Sequence, residues 1–128
     1  MLKSYLDKVS APEFELLGIT PSMGMVLRVV YHHEGASMKD VSEHLRIDKA
    51  MITRVVIKLM DMGLIENDAK GHAYSLRLTE QGIKAAERSK EIMDAAWESL
   101  LSDLTEEERE TFDRIMGKIS DKVRREMS

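Results

Sequence analysis

The sequence predicts a mainly α-helical fold that carries one small β-hairpin. Two short helical patterns stand four residues apart between positions 37 and 62. Positions 64–78 follow with a two-strand pattern that has a glycine at its tip, and further helical patterns occupy both ends of the chain. Helix, turn, helix and hairpin in this order are typical of a winged helix-turn-helix.

The first 17 residues show an interrupted helical pattern. Leu2, Leu6 and Val9 share one helical face. Residues 10–12 end in a proline, which lacks a backbone N–H and clashes with the preceding turn. We therefore expect the helix to break or bend there.

A second helix is predicted to begin at Thr20 and Pro21, the residue types favoured at the N-cap and first helical position. Its apolar face comprises Met23, Val26, Leu27, Val30 and Tyr31. His32 and His33 fall near its C-terminus, where the helix dipole favours them. A zinc site is the alternative for this pair. Adjacent helical residues point about 100° apart, and the sequence has no HExxH motif. We therefore predict no metal site.

The tandem helices form the centre of the pattern. Ser37 is a predicted N-cap with Asp40 three residues on, and Val41 and Leu45 share a face. Asp48 is the predicted cap of the next helix, which runs to about residue 62 before a glycine suited to the left-handed end position. This helix has an apolar stripe of Ile52, Val55, Val56 and Leu59.

The other side of that helix carries small, polar and basic residues together with one isoleucine: Lys49, Ala50, Thr53, Arg54 and Ile57. A helix that enters the major groove needs an apolar face on its neighbour and an outer face that reaches phosphates and base edges. The alternative is an ordinary amphipathic helix with a solvated face.

The hairpin is predicted from Leu64 and Ile65, a turn at Lys70 and Gly71, and an alternating second strand. That second strand contains Tyr74, Leu76 and Leu78, and Thr79 then caps a long helix over about residues 81–101. Thr105 and Glu108 fit a capping box for the last helix. Its stripe comprises Phe112, Ile115, Met116, Ile119 and Val123.

We interpret the chain as one domain over residues 1–128. A winged lobe spans residues 19–82, and the helices of residues 1–18 and 83–128 form a dimer stem. The alternative for the late helices is packing onto residues 1–17 of the same chain. A length of 128 residues suits one domain or one dimer protomer.

Composition excludes several classes of protein. The sequence has no cysteine, no apolar run long enough for a membrane span and no signal-peptide pattern. We therefore expect a cytoplasmic protein with no membrane partner. It has no phosphate-binding glycine loop or Gly-x-Ser-x-Gly motif. The prediction is no enzyme and no cofactor.

The net charge of −4 is unevenly distributed. Residues 37–78 hold seven basic and six acidic side chains, whereas residues 79–128 hold nine basic and thirteen acidic ones. The predicted helix-turn-helix and hairpin are thus the only segment that is not acidic. Specific DNA binding by so weakly basic a lobe would need two lobes acting together.

In its ordered motifs, the chain resembles the MarR family of bacterial and archaeal transcriptional regulators over about residues 17–128. The matching positions are Ile19, Thr20 and Pro21; Val41 and Leu45; Thr53, Arg54, Val55 and Leu59; Gly63, Leu64 and Ile65; residues 78–82; and residues 104–108. The resemblance implies a homodimer that binds a palindromic operator in double-stranded DNA. It also implies that a small ligand, acting between lobe and stem, often releases the operator.

The hairpin departs from the family pattern. The family usually carries Asp-Arg-Arg before the second strand, whereas this chain offers only Lys70, His72 and Arg77. Asn67 stands where the family often has arginine. The resemblance therefore implies a reduced contact between the wing and the minor groove.

Carried onto this sequence, the resemblance implies a repressor whose helix of residues 48–62 enters the major groove. The predicted DNA-binding residues are Ser37, Lys39, Lys49, Ala50, Thr53, Arg54, Lys58, Lys70, His72 and Arg77. Arg28, His32 and His33 are the predicted ligands of an aromatic carboxylate effector. The alternative function is a winged-helix protein-interaction module that does not bind DNA.

Overall fold

The structure is a computed structural model that describes residues 1–69 and 74–127. Within these residues, the elements are α1 (Leu2–Leu17), α2 (Pro21–His32), α3 (Met38–Leu45), α4 (Lys49–Asp61), β1 (Ile65–Asn67), β2 (Leu76–Leu78), α5 (Glu80–Leu100) and α6 (Glu106–Met127). The predicted mainly α-helical fold with a small hairpin is confirmed. The chain forms two compact units, Met1–Ala96 and Trp97–Ser128.

The predicted helix starts are confirmed at Thr20, Ser37 and Thr105. Each hydroxyl accepts a hydrogen bond from the backbone N–H three residues on, which satisfies one of the orphan donors of the first turn. Asp48 occupies the N-cap position of α4, but its side chain makes no capping hydrogen bond. The glycine after α4 has the expected positive φ of 76°.

The predicted break in the first helix is wrong. α1 runs continuously from residue 2 to residue 17 with Pro12 inside it. Leu6 and Phe14, on either side of the proline, are both buried. Ser10 is buried as well, and its hydroxyl donates to the carbonyl of Leu6 at 2.7 Å. Burial on both sides holds the helix together despite one missing backbone hydrogen bond.

The core of the first unit lies where α2, α3 and α4 meet the hairpin. Leu27, Val41, Ile52, Leu59 and Leu76 each have an exposed fraction of 0%. The predicted stripe of α4 is confirmed at Ile52, Val56 and Leu59 and half-buried at Val55. Tyr31 was expected on the buried face of α2 but is exposed.

The hairpin pairs β1 and β2 in antiparallel register, with Ile65 opposite Leu78 and Asn67 opposite Leu76. A further bridge joins Ala36, in the link between α2 and α3, to Leu76. The N–H of Leu76 donates to Ala36 at 2.9 Å, and the N–H of Gly35 donates to Leu76 at 2.8 Å. This bridge ties the hairpin to the helix-turn-helix at the end of the strands next to the loop. The predicted turn at Lys70 and Gly71 lies outside the described residues.

The start of α5 lies against the end of α4. The hydroxyl of Thr79 donates to the carbonyl of Gly63 at 2.6 Å and accepts from the N–H of Gly82 at 3.1 Å. A Cβ atom on Gly82 would overlap the carbonyl oxygen of Leu64. A glycine is therefore required where α5 leaves the hairpin.

The second unit contains the end of α5 and all of α6. Arg109 in α6 forms two hydrogen bonds to the carboxylate of Glu98, at 2.6 and 3.0 Å, and this pairing lowers the pKa of Glu98. Ile115, Met116, Ile119 and Val123 are exposed. Within the described residues, no single helix is long and apolar enough to cross a membrane, and one bent pair, α1 with α2, passes by length and composition alone.

Replacing Gly82 with alanine is expected to lower the free energy of unfolding by about 1–3 kcal/mol. The added methyl group overlaps a backbone oxygen that a side-chain rotation cannot move away. Urea denaturation followed by circular dichroism measures this change.

Gly117→Ala is the matched control, because a Cβ atom there meets nothing within 4 Å. Alanine in an exposed helix interior is expected to stabilise the protein by up to about 1 kcal/mol. Equal effects of the two substitutions would contradict the close approach at Gly82.

Candidate nucleic-acid interface

The exposed side of α4 is opposite its buried stripe. Packing of Ile52, Val56 and Leu59 into the core turns the remaining positions outward. The structure brings five predicted DNA-binding residues together on this helix. Thr53 is half-buried and the other four are exposed: Lys49, Ala50, Arg54 and Lys58.

The three cations of α4 keep their charge available. Among the described residues, the ion pairs involve none of Lys49, Arg54 and Lys58. The acidic groups next to this face stand at the two ends of the helix, Asp48 at the N-cap and Asp61 at the last position. Three uncompensated cations on one short helix make an electropositive surface.

Two local contacts restrain the polar side chains of this surface. The hydroxyl of Thr53 donates to the carbonyl of Lys49 at 2.8 Å. The guanidinium of Arg54 donates to the sulfur of Met51, with Nη2 and Sδ 3.6 Å apart. The thioether is a weak acceptor, so most of the donors of Arg54 stay free for another partner.

The start of α3 is already occupied by a carboxylate. Asp40 accepts the N–H of Ser37 at 2.9 Å, and the hydroxyl of Ser37 accepts the N–H of Asp40 at 3.0 Å. The backbone hydrogen bond from Ser37 is the main reason that the pKa of Asp40 is lowered. Lys39 lies 3.9 Å from Glu43, with both side chains mostly exposed. A phosphate at this helix end would have to share it with the charge of Asp40.

The hairpin carries a cross-strand ion pair. Nε of Arg77 lies 2.6 Å from the carboxylate of Glu66, and this hydrogen bond raises the pKa of the guanidinium. Arg77 was predicted to contact DNA. The structure pairs its charge with Glu66, and the DNA contact stays a prediction. Lys70 and His72, the other predicted wing contacts, lie outside the described residues.

Asn67, the residue at the position where the family often has arginine, closes the hairpin. Its Oδ1 accepts the N–H of Ser75 at 2.9 Å and the N–H of Ala69 at 3.1 Å. An arginine could not accept these hydrogen bonds, because its side chain has donors only. The departure from the family pattern thus has a structural role where the strands of the hairpin meet the loop.

Arg28, His32 and His33 line surface grooves. All three border a groove of about 320 Å³ that His44 also lines. The rings of His33 and His44 have their centroids 4.9 Å apart. Arg28 and His32 also border a groove of about 380 Å³ between α2 and α5. The structure therefore brings the predicted effector residues together, and no group of three or more metal-ligating side chains occurs among the described residues.

Sequence reasoning missed the α5 side of that groove. Ala86, Glu87, Lys90 and Glu91 line it together with Tyr31 of α2. Their helical spacing signals one shared face, but nothing in the local sequence indicates that this face lies against α2.

The MarR family model matches residues 19–69. The uncharacterized HTH-type transcriptional regulator YdgJ of Bacillus subtilis (strain 168) is 26% identical over 122 residues, which cover 92% of this chain and 74% of YdgJ.

Two solved structures share the fold. The Staphylococcus aureus MepR–DNA complex has a TM-score of 0.73 and 25% identity, and the match covers 96% of this chain and 91% of MepR. The Mycobacterium tuberculosis MarR family protein Rv2887 in complex with salicylic acid has a TM-score of 0.77 and 24% identity, and the match covers 92% of this chain and 90% of Rv2887. The matched residues 19–69 contain the helix-turn-helix and the first strand of the wing, so the chain is similar to MarR family proteins in this segment and in its fold.

Proposed function

We propose that this chain is a cytoplasmic transcriptional repressor that binds a palindromic operator as a homodimer and is released by a small aromatic carboxylate. The observation that carries the proposal is the outer face of α4. There, three cations with no acidic partner among the described residues stand on the side opposite the buried stripe. The DNA in the MepR complex supports this assignment by analogy of fold.

The dimensions of α4 fit a major groove. Its 13 residues make a rod of about 20 Å at about 1.5 Å per residue. The major groove, about 12 Å wide, admits an α-helix. In helix-turn-helix proteins the first turns of the recognition helix approach the base edges. Those turns carry Ala50, Thr53 and Arg54, whereas Lys58 lies further along the helix and suits a phosphate.

The exposed stripe of α6 supports the homodimer. Ile115, Met116, Ile119 and Val123 fall on one helical face, and Ile119 has an exposed fraction of 50%. Such a continuous apolar stripe is typical of an interface. A two-fold interface presents one α4 from each protomer, and this symmetry matches a palindrome with half-sites about one helical turn apart.

The groove between α2 and α5 supports the effector proposal. Arg28, His32 and Lys90 supply donors, and the ring of Tyr31 supplies an aromatic surface. These groups suit a small aromatic carboxylate. Glu87 and Glu91 on the same groove oppose an anion. We expect the affinity to be modest for this reason.

A winged-helix interaction module is the second candidate function. The pairing of Arg77 with Glu66 favours it, because the pair removes a cation from the wing. The unpaired cations of α4 favour DNA. A folded protein that binds no duplex at low salt would establish the module instead.

Arg54→Ala is expected to weaken operator binding by about 1–3 kcal/mol, roughly 5- to 150-fold, if its guanidinium contacts a base edge. Fluorescence anisotropy with an operator selected from random duplexes measures the affinity. Arg114→Ala, an exposed position on α6, is the control that removes the same charge. Equal losses in both variants would exclude a specific contact by Arg54.

Ile119→Lys is expected to shift the protein from dimer towards monomer in analytical ultracentrifugation, because a charge in an apolar interface is desolvated without a partner. Gly117→Lys places the same charge two residues away, on the side of α6 opposite the stripe, and is expected to leave the dimer intact. A monomeric unmodified protein would overturn the homodimer.

Arg28→Ala is expected to raise the salicylate concentration that releases the operator by several-fold, because a cation facing the carboxylate is lost. Titration of the protein–operator complex with salicylate measures this release. Lys84→Ala, an exposed cation on α5, is the control. Unchanged release in Arg28→Ala would remove Arg28 from the effector site.

A further inference from the structure

We propose that α4 recognises thymines by their 5-methyl groups on both sides of one guanine. Arg54 contacts the guanine, and the side chains of Ala50 and Ile57 contact the thymine methyl groups. This inference rests on the proposed function, since it assumes that α4 enters a major groove, and it names the base chemistry that the helix selects.

The central observation is that the outer face of α4 is apolar around a single guanidinium. Ala50 is exposed, and Ile57 has an exposed fraction of 45%. Met51 at the edge of this face has an exposed fraction of 43%. Large apolar side chains that stay exposed on the outside of a core-packed helix are available for a ligand surface.

The hydrogen-bonding chemistry of this face is narrow. The sequence of α4 contains no Asn, Gln or Glu. Adenine is bound most specifically by Asn or Gln, and the amino group of cytosine by an acidic acceptor. The acidic residue within α4 is Asp61, at its last position, far from the turns that approach the bases.

The hydroxyl of Thr53 is not available to donate a hydrogen bond to a base. Its hydroxyl proton is directed at the carbonyl of Lys49, over a distance of 2.8 Å. The side chain therefore presents its oxygen lone pairs and its methyl group. Guanine, through Arg54, and thymine, through methyl contacts, are therefore the bases that Ala50, Arg54 and Ile57 fit.

The positions of these residues give the spacing of the bases. Arg54 stands four residues after Ala50 and three before Ile57, so all three fall on one helical face. The seven residue steps from Ala50 to Ile57 span about 10 Å at about 1.5 Å per residue. For a helix lying along the groove, this length matches about three base-pair steps of about 3.4 Å. The two thymine contacts are therefore expected about three base pairs apart, with the guanine between them.

The test begins with selection of bound sequences from random duplexes. Each thymine in the half-site is then replaced by deoxyuridine, which keeps the base pair and removes only the methyl group. Burial of one such group contributes about 0.8 kcal/mol, so loss at a contacted thymine is expected to weaken binding about fourfold. Thymines outside the half-site centre are expected to show no change.

A pair of variants assigns the contact to α4. Ile57→Ala is expected to abolish the difference between thymine and uracil at one position and keep it at the other. Lys58→Ala, the adjacent exposed residue, is expected to weaken binding to both duplexes equally, as a phosphate contact does. The ratio of affinities for the two duplexes is the readout, so a general loss of stability or affinity does not imitate the effect.

The outcomes separate this inference from the proposed function. Specific binding in which no thymine-to-uracil replacement matters would overturn methyl recognition and leave the DNA-binding regulator intact. Specific binding with a uracil effect that Ile57→Ala does not change would overturn its assignment to this face. Absence of binding to every duplex would overturn both proposals.

Discussion

The burial of one side of α4 is the constraint on which the proposed interface depends. Ile52, Val56 and Leu59 have no exposed surface, and they pack in the same core as Leu27 of α2 and Val41 of α3. Protein interiors are close-packed, so the rotation of α4 about its axis is fixed within narrow limits. The cations on its outer face are therefore presented in one orientation. A one-residue shift of the stripe would rotate the outer face, and Arg54 with it, by about 100°.

The groups that complete the fold are in part those that sequence reasoning assigned to DNA. Ser37 caps α3 with Asp40, and Arg77 pairs with Glu66 across the hairpin. In both cases the polar side chain has a partner within the fold. By contrast, Lys49, Arg54 and Lys58 have no acidic partner among the described residues. Residue type alone does not separate these two sets, because the separation depends on which residue the fold places opposite each side chain.

The features that the sequence predicts differ from those that it misses in how far apart the contacting residues lie along the chain. The caps at Thr20, Ser37 and Thr105, the stripe of α4 and the glycine after it depend on residues at most seven positions apart, and these were predicted. The bridge from Ala36 to Leu76 and the α5 side of the groove against α2 join residues far apart in the chain, and both were missed. Pro12 was misjudged for a related reason, because the burial of Leu6 and Phe14 outweighs its local cost.

Helix α2 gives the two proposed sites a shared structural element. Its residues Val26 and Leu27 lie in the core with Ile52 of α4, while Arg28 and His32 border the groove against α5. A ligand in that groove contacts α2 directly. Because the core between α2 and α4 is close-packed, a shift of α2 would also move α4. Such a ligand changes DNA affinity only if it binds one position of α2 better than the other. Because Arg77 is paired with Glu66, the affinity for the proposed operator would depend mainly on the two copies of α4 in the proposed homodimer. Their separation is then the quantity that an effector would have to alter.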